Sequence, residues 1–206
     1  MYKILYVFIT HELNFNKVNI RINNMMKSLN TDDYIIVKGV DINSYYDKDN
    51  KILNIECNDK YEGLPEKVFK TYKYIINNIE FKKYDLFFKL DDDMVINKLI
   101  SYNDIKNYNY CGKVNFSYNC NNRWHIGKCS PNSMFNTTEY KGPCTPWCLG
   151  GYGYVISRYA ITLIQSNNDY KENIYEDIYI ALLLSKHNIH PIDINITNYV
   201  SSPDHK

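Results

Sequence analysis

The chain has 206 residues, enough for one domain with a substantial core but few for two. Its 45% hydrophobic and 23% charged residues exclude bulk disorder, and a net charge of +1 excludes a global field that would recruit nucleic acid or an anionic membrane. Any phosphate must therefore be recognised locally, and a single domain over residues 1–206 is expected.

No segment approaches the roughly 20 apolar residues of a transmembrane helix. The opening MYKILYVFIT lacks a secretory cleavage pattern and reads as a first strand, Tyr2 to Ile9, ending at a polar tip, Thr10-His11-Glu12. A cytoplasmic location is the matching expectation. So is a reducing compartment, with free thiols at Cys57, Cys111, Cys120, Cys129, Cys144 and Cys148. The glycosylation patterns at Asn115, Asn136 and Asn195 decide nothing without secretory entry.

Val18, Ile22, Met25, Met26 and Leu29 then mark one face of an amphipathic helix. Tyr34 to Val40 and Ile52 to Ile55 read as strands, with Asp41 to Asn50 a surface loop between them. Pro65 suits the first turn of a helix whose apolar face is Val68, Tyr72, Ile75, Ile76 and Ile79; Lys67 and Lys70 on it read as solvated charges. The rhythm is βαβ.

Tyr84 to Asn97, YDLFFKLDDDMVIN, is the most informative stretch. An apolar run of this kind is a strand buried on both faces, and ligands of open α/β sheets bind beyond the carboxyl ends of such strands. Asp91, Asp92 and Asp93 fall at that end. Crowded carboxylates repel one another and stay ionised only beside a cation or strong donors, so a divalent metal is one reading. A solvated acidic turn or a helix N-cap is the other.

Cys111 to Cys148 is aperiodic and polar but carries Phe116, Tyr118, Trp124, Phe135 and Trp147, which argues for an ordered functional loop. Its cysteines lack the paired spacing of zinc modules. Gly150 and Gly151 form a turn into a strand and allow close approach of a ligand, or a bulge. Arg158 to Gln165 reads as a short helix, and Glu176-Asp177 open another as dipole complements. Pro191 precedes a last strand, Ile192 to Val200, and His205 sits in the tail.

Four blocks in order resemble the β1,3-galactosyltransferase and Fringe-like glycosyltransferases, family 31 of the sugar transferases. Asp59-Lys60-Tyr61-Glu62-Gly63-Leu64-Pro65-Glu66-Lys67 is similar to that family's D-x-Y-x-N-L-T-x-K, with Gly63 and Pro65 in place of its Asn and Thr. Phe88-Lys89-Leu90-Asp91-Asp92-Asp93 is similar to its K-x-DDD metal motif. The stretch from Pro146 to Ser157 resembles its P-x-x-x-G-x-G-Y block, and Glu176-Asp177-Ile178-Tyr179 its E-D-V-Y block, with Ala181 where the family has Gly.

The resemblance implies an α/β fold of the GT-A (Rossmann-like) type, a mixed twisted sheet flanked by helices. It implies a metal-dependent inverting transfer of a hexose or N-acetylhexosamine from a UDP-sugar to a glycan or glycoprotein hydroxyl, with Mn²⁺ or Mg²⁺ as cofactor. Asp93 is then the direct metal ligand, with Asp91 and Asp92 supporting metal and ribose and His205 a further ligand; His187 and His190 are weaker choices. Asp177 is the base, and Glu176 the neighbour most easily confused with it. Thr10, Lys67, Lys89, Gly150 and Gly151 are expected at the sugar nucleotide, and Trp147 and Tyr152 as stacking faces for a sugar. The alternatives are a catalytically inactive domain that binds a glycan or a partner, and metal-dependent phosphoryl transfer.

Overall fold

The computed structural model describes residues 3–120 and 122–202. Its strands are β1 (Ile4–Ile9), β2 (Tyr34–Val40), β3 (Tyr45–Asp47), β4 (Ile52–Glu56), β5 (Leu86–Asp91), β6 (Val95–Ile96), β7 (Tyr110–Gly112), β8 (Val114–Asn115), β9 (Trp147–Cys148), β10 (Tyr154–Ser157), β11 (Ile192–Asp193) and β12 (Val200–Ser201). The α-helices are α1 (Phe15–Ser28), α2 (Leu64–Asn77), α3 (Tyr102–Ile105), α4 (Arg158–Ile164) and α5 (Glu176–Ser185). Eight strands form one mixed sheet in the order β11-β7-β10-β5-β1-β2-β4-β3. The parallel half, β5-β1-β2-β4, has β1 at its centre, and β10 runs antiparallel to β5.

The period-two alternation of strands sorts the core into two layers. Leu5, Val7, Ile9 and Phe87 face the cluster that takes in α2, α4 and α5. Ile4, Tyr6, Phe8, Leu86, Phe88 and Leu90 face the other cluster, with Val18, Ile22 and Met26 of α1. Both strands are therefore apolar along nearly their whole length, as the sequence predicts for strands covered on two sides. Lys89 and Asp91 share the parity of Phe87, so the pleat turns them towards α2 and α5.

Four expectations fail locally. Helix α2 ends at Asn77, and Ile79, assigned to its apolar face, is exposed in the turn that follows. The loop Asp41 to Asn50 contains β3, an edge strand paired antiparallel with β4. The expected strand Ile192 to Val200 is split: β11 joins the large sheet beside β7, and β12 pairs with β6. Such two- and three-residue strands exist by virtue of their partners, and their own sequence carries little signal. Finally, Cys120 and Cys144 form a disulfide (Cα–Cα 6.1 Å), while Cys57, Cys111, Cys129 and Cys148 are free thiols. The two half-cystines are 24 residues apart in an aperiodic loop, and only folding brings their backbones into bonding range. Disulfides persist in oxidising surroundings, which the expectation of a reducing compartment does not accommodate. Among the described residues no helix is long and apolar enough to cross a membrane.

The turn before β10 needs a glycine. Gly153 has φ +77° and ψ 161°, a region essentially reserved for glycine. A Cβ there would lie 2.7 Å from the Lys89 carbonyl oxygen on β5. Gly153→Ala is expected to destabilise the fold by at least about 2 kcal/mol, measured as a lower urea midpoint with an unchanged slope.

Candidate active site

β1 continues into β2 on one side, and β5 returns to pair on its other side, so the chain reverses its winding between β1 and β5. The crevice beyond the carboxyl ends at such a switch point is the usual ligand site of an α/β sheet. Here Thr10 follows β1 and Asp91, Asp92 and Asp93 follow β5, with Ile9 paired to Asp91. Thr10 Oγ1 donates to Asp92 Oδ2 at 2.6 Å and ties the two strand ends together. Thr10, His11, Asp59, Tyr61, Lys67, all three aspartates, Lys128 and Ser130 line one cleft of about 580 Å³.

Lys67 comes from the first turns of α2 but is not the solvated charge its helix position suggested. It is 3% exposed, donates to the Thr10 carbonyl at 2.8 Å and pairs with Asp59. Asp59 in turn accepts from the backbone N–H groups of Glu12 (2.7 Å) and Gly39 (3.0 Å). Burial raises the Asp59 pKa, but Lys67 and these donors outweigh it and hold the carboxyl below its usual range. The Asp59–Lys67–Thr10–Asp92 chain fixes one wall of the cleft.

The second network lies beneath. Lys89, 1% exposed, pairs with Asp91 Oδ1 at 2.5 Å and Glu176 Oε2 at 3.2 Å, and sits 3.4 Å from the Gly150 carbonyl oxygen. Tyr154, opposite Lys89 in the β5–β10 ladder, donates its hydroxyl to Glu176 Oε1 and accepts from Tyr72 at 3.1 Å. Burial works against the Lys89 charge, yet Asp91 and Glu176 more than compensate and its pKa is raised, so the ammonium persists. For Glu176 burial dominates over the attraction of Lys89, and its pKa is raised. Lys89 is thus engaged within the protein rather than offered to a ligand.

Asp177 is half-buried on the first turn of α5. Its Oδ2 accepts from Gly150 N at 3.0 Å and its Oδ1 from Ile178 N at 2.9 Å. Burial raises its pKa above the ordinary aspartate value despite those donors and Lys89. It is near enough to Tyr61, on the cleft wall, to help raise that phenol's pKa after burial, and Asp91 acts on it likewise. The structure therefore gathers Thr10, Lys67, Asp91, Asp92 and Asp93 in one cleft, with Lys89, Gly150, Glu176 and Asp177 adjoining it.

Other sequence candidates lie elsewhere. Gly151 is exposed; Trp147 is 6% exposed in the core cluster beside α5, so its ring offers no open face to a sugar. Tyr152 packs against the opposite cluster, with the Lys113 ammonium 4.1 Å from its ring centre. His187 and His190 are exposed beyond the far end of α5, and His205 lies outside the described residues. His11 and Lys128 line the cleft without having been singled out from sequence. His11 sits in the recognised polar tip of β1, whereas nothing local marks Lys128.

Three comparisons bear on this geometry. A family model described as galactosyltransferase matches residues 23–195. No curated protein matches the chain. Among solved structures, a Bacillus anthracis protein assigned as a glucose-1-phosphate thymidylyltransferase, crystallised with sucrose, is similar at TM-score 0.51 and 9% identity, over 97% of this chain and 89% of that one. A197 from STIV is similar at TM-score 0.48 and 14% identity (99% and 92% covered), and the Saccharomyces cerevisiae mannosyltransferase Ktr4p at TM-score 0.40 and 10% identity (92% and 62%). The first of these likenesses is one of fold alone.

Lys89→Met would leave Glu176 buried beside Tyr154 without its counter-charge. A loss of about 3–5 kcal/mol is expected from chemical denaturation, and Lys89→Met/Glu176→Gln should recover much of it. An equal loss in the double variant would show that Lys89 acts through packing alone.

Proposed function

This chain belongs to the galactosyltransferase family, and on that premise we propose that it is a metal-dependent, inverting hexosyltransferase that uses a UDP-sugar. It moves a hexose or N-acetylhexosamine to a hydroxyl of a glycan or glycoprotein acceptor. The observation that carries the reading is the cleft at the β1/β5 switch point, lined by Asp91, Asp92 and Asp93, with a second, independently held carboxylate at Asp177.

Asp177 takes the proton of the acceptor hydroxyl as its oxygen attacks the anomeric carbon, and the nucleoside diphosphate departs from the opposite face. A base works best with a pKa near the working pH, and burial moves Asp177 in that direction. The Gly150 and Ile178 N–H groups orient the carboxylate, and Lys89 with Glu176 anchors the start of α5 against β5.

Among the described residues no three His, Cys, Asp or Glu side chains gather into a ready-made metal cage. A hard cation of the Mg²⁺ type takes one or two carboxylates and completes its shell with water and substrate phosphates. Asp93 and Asp91 would hold it. Bound there, Mn²⁺ or Mg²⁺ supplies counter-charge for the leaving diphosphate. Asp92, fixed by Thr10, is left to orient the ribose.

The reading is tested with a panel of sugar nucleotides and Mn²⁺, scoring binding, transfer and slow donor hydrolysis. Binding with sugar transfer or release supports it, binding without either describes an inactive binding domain, and cleavage within the diphosphate would indicate phosphoryl chemistry. Asp177→Asn is expected to lower kcat at least about a hundredfold while sugar-nucleotide and Mn²⁺ binding persist. In the wild type kcat/KM should fall as the pH drops through the raised Asp177 pKa. Asp93→Ala should lose Mn²⁺-dependent nucleotide binding; unchanged affinity would remove Asp93 from the metal site.

A further inference from the structure

Part of the cleft lining, Lys128 to Pro131, comes from the loop closed by the Cys120–Cys144 disulfide. Inside this loop His125 is fully buried. Its Nε2 faces the Thr138 carbonyl oxygen at 2.9 Å, so that nitrogen donates, and its Nδ1 accepts from the Tyr175 hydroxyl at 2.8 Å. Ser130 is held on Glu62 through its N–H (3.1 Å) and its hydroxyl (2.5 Å). The three residues after His125 and before Cys129 thus have anchors on both sides, and the Lys128 N–H closes the turn on the His125 carbonyl at 3.0 Å.

Lys128 is presented to the cleft by this turn. Its ammonium lies 3.6 Å from the Trp124 ring centre and 5.7 Å from that of Tyr61. Among the described residues no carboxylate pairs with it. The other cleft lysines differ. Lys67 is occupied by Asp59 and the Thr10 carbonyl, and Lys60, which also lines the cleft, has no aromatic seat among the described residues and helps lower the Glu62 pKa. An aromatic face holds an ammonium in place without consuming its hydrogen-bond donors, of which lysine has three.

We propose that Lys128, seated on Trp124, is a binding residue for the terminal phosphate of a nucleoside diphosphate in this cleft, which it shares with the three aspartates. The assignment rests on the reading of the cleft as a sugar-nucleotide site. It gives the diphosphate one cation that belongs to the chain itself, carried by a wall whose position is set by a disulfide and a buried histidine.

The test is calorimetric titration of the full chain with UDP, GDP and ADP, and with the matching monophosphates, in the presence of Mn²⁺. Lys128→Gln is expected to weaken binding of the preferred diphosphate at least about tenfold, the usual scale for a charge-assisted hydrogen bond. It should affect the monophosphate less and reduce the salt dependence of affinity. Lys128→Arg should restore most of the binding, and Lys60→Gln should change it little. In the wild type the diphosphate should also shift tryptophan emission, a signal lost in Trp124→Phe. If the wild type binds a diphosphate and Lys128→Gln binds it equally well, or if Lys60→Gln weakens it as much, the role of Lys128 is overturned and the site reading stands. If the wild type binds no nucleotide, the site reading fails and this assignment with it.

Discussion

The buried ammonium of Lys89 joins three elements that are far apart in sequence: the end of β5 through Asp91, the start of α5 through Glu176, and the glycine turn before β10 through Gly150. Removing a lysine charge from water costs several kcal/mol, so such a group is tolerated only when it is paired with good geometry. Both carboxylates are supplied, and Tyr154 with Tyr72 behind it satisfies the remaining oxygen of Glu176. The result is a rigid platform on which the proposed metal-binding aspartates and the proposed base stand in fixed relation.

A second lysine does similar work one strand away. Lys67 holds the Thr10 carbonyl while Thr10 holds Asp92, so α2 sets the height of β1's end against that of β5. The two lysines differ in what they leave exposed. Lys67 still lines the cleft, whereas Lys89 is closed off beneath it. Of the cations expected at the diphosphate, neither has its charge uncommitted, so the proposed phosphate contact falls to Lys128 of the disulfide-closed loop.

Catalysis by differential binding requires groups that are in place before the transition state forms. In the proposed transfer the preorganisation comes from unlike sources: a strand-end hydrogen bond for Asp92, two backbone donors at a helix start for Asp177, and an anchored loop for Lys128. The same N-terminus of α5 is tied to the loop, since Tyr175, directly before Glu176 and Asp177, bonds His125. Loop and proposed base are therefore coupled through one residue.

The sequence by itself determined what local pattern can encode. β2 is found over Tyr34–Val40, and the helices at α1, α2, α4 and α5 follow their apolar stripes or caps, because burial on one face leaves a period of 3.6 and burial on two faces leaves a continuous apolar run. The acidic end of β5 was legible for the same reason: charge directly after a buried strand stands out. Alternation along β5 even contained the side to which Lys89 turns. Its partner, Glu176, lies 87 positions later, and no periodicity links two residues at that distance. The tertiary structure alone decided that pair, the Cys120–Cys144 bond, the short strands β3, β11 and β12, and the seat of Lys128. Each depends on a contact whose other half is remote in the chain, and closing such contacts is settled by the packing of the whole sheet.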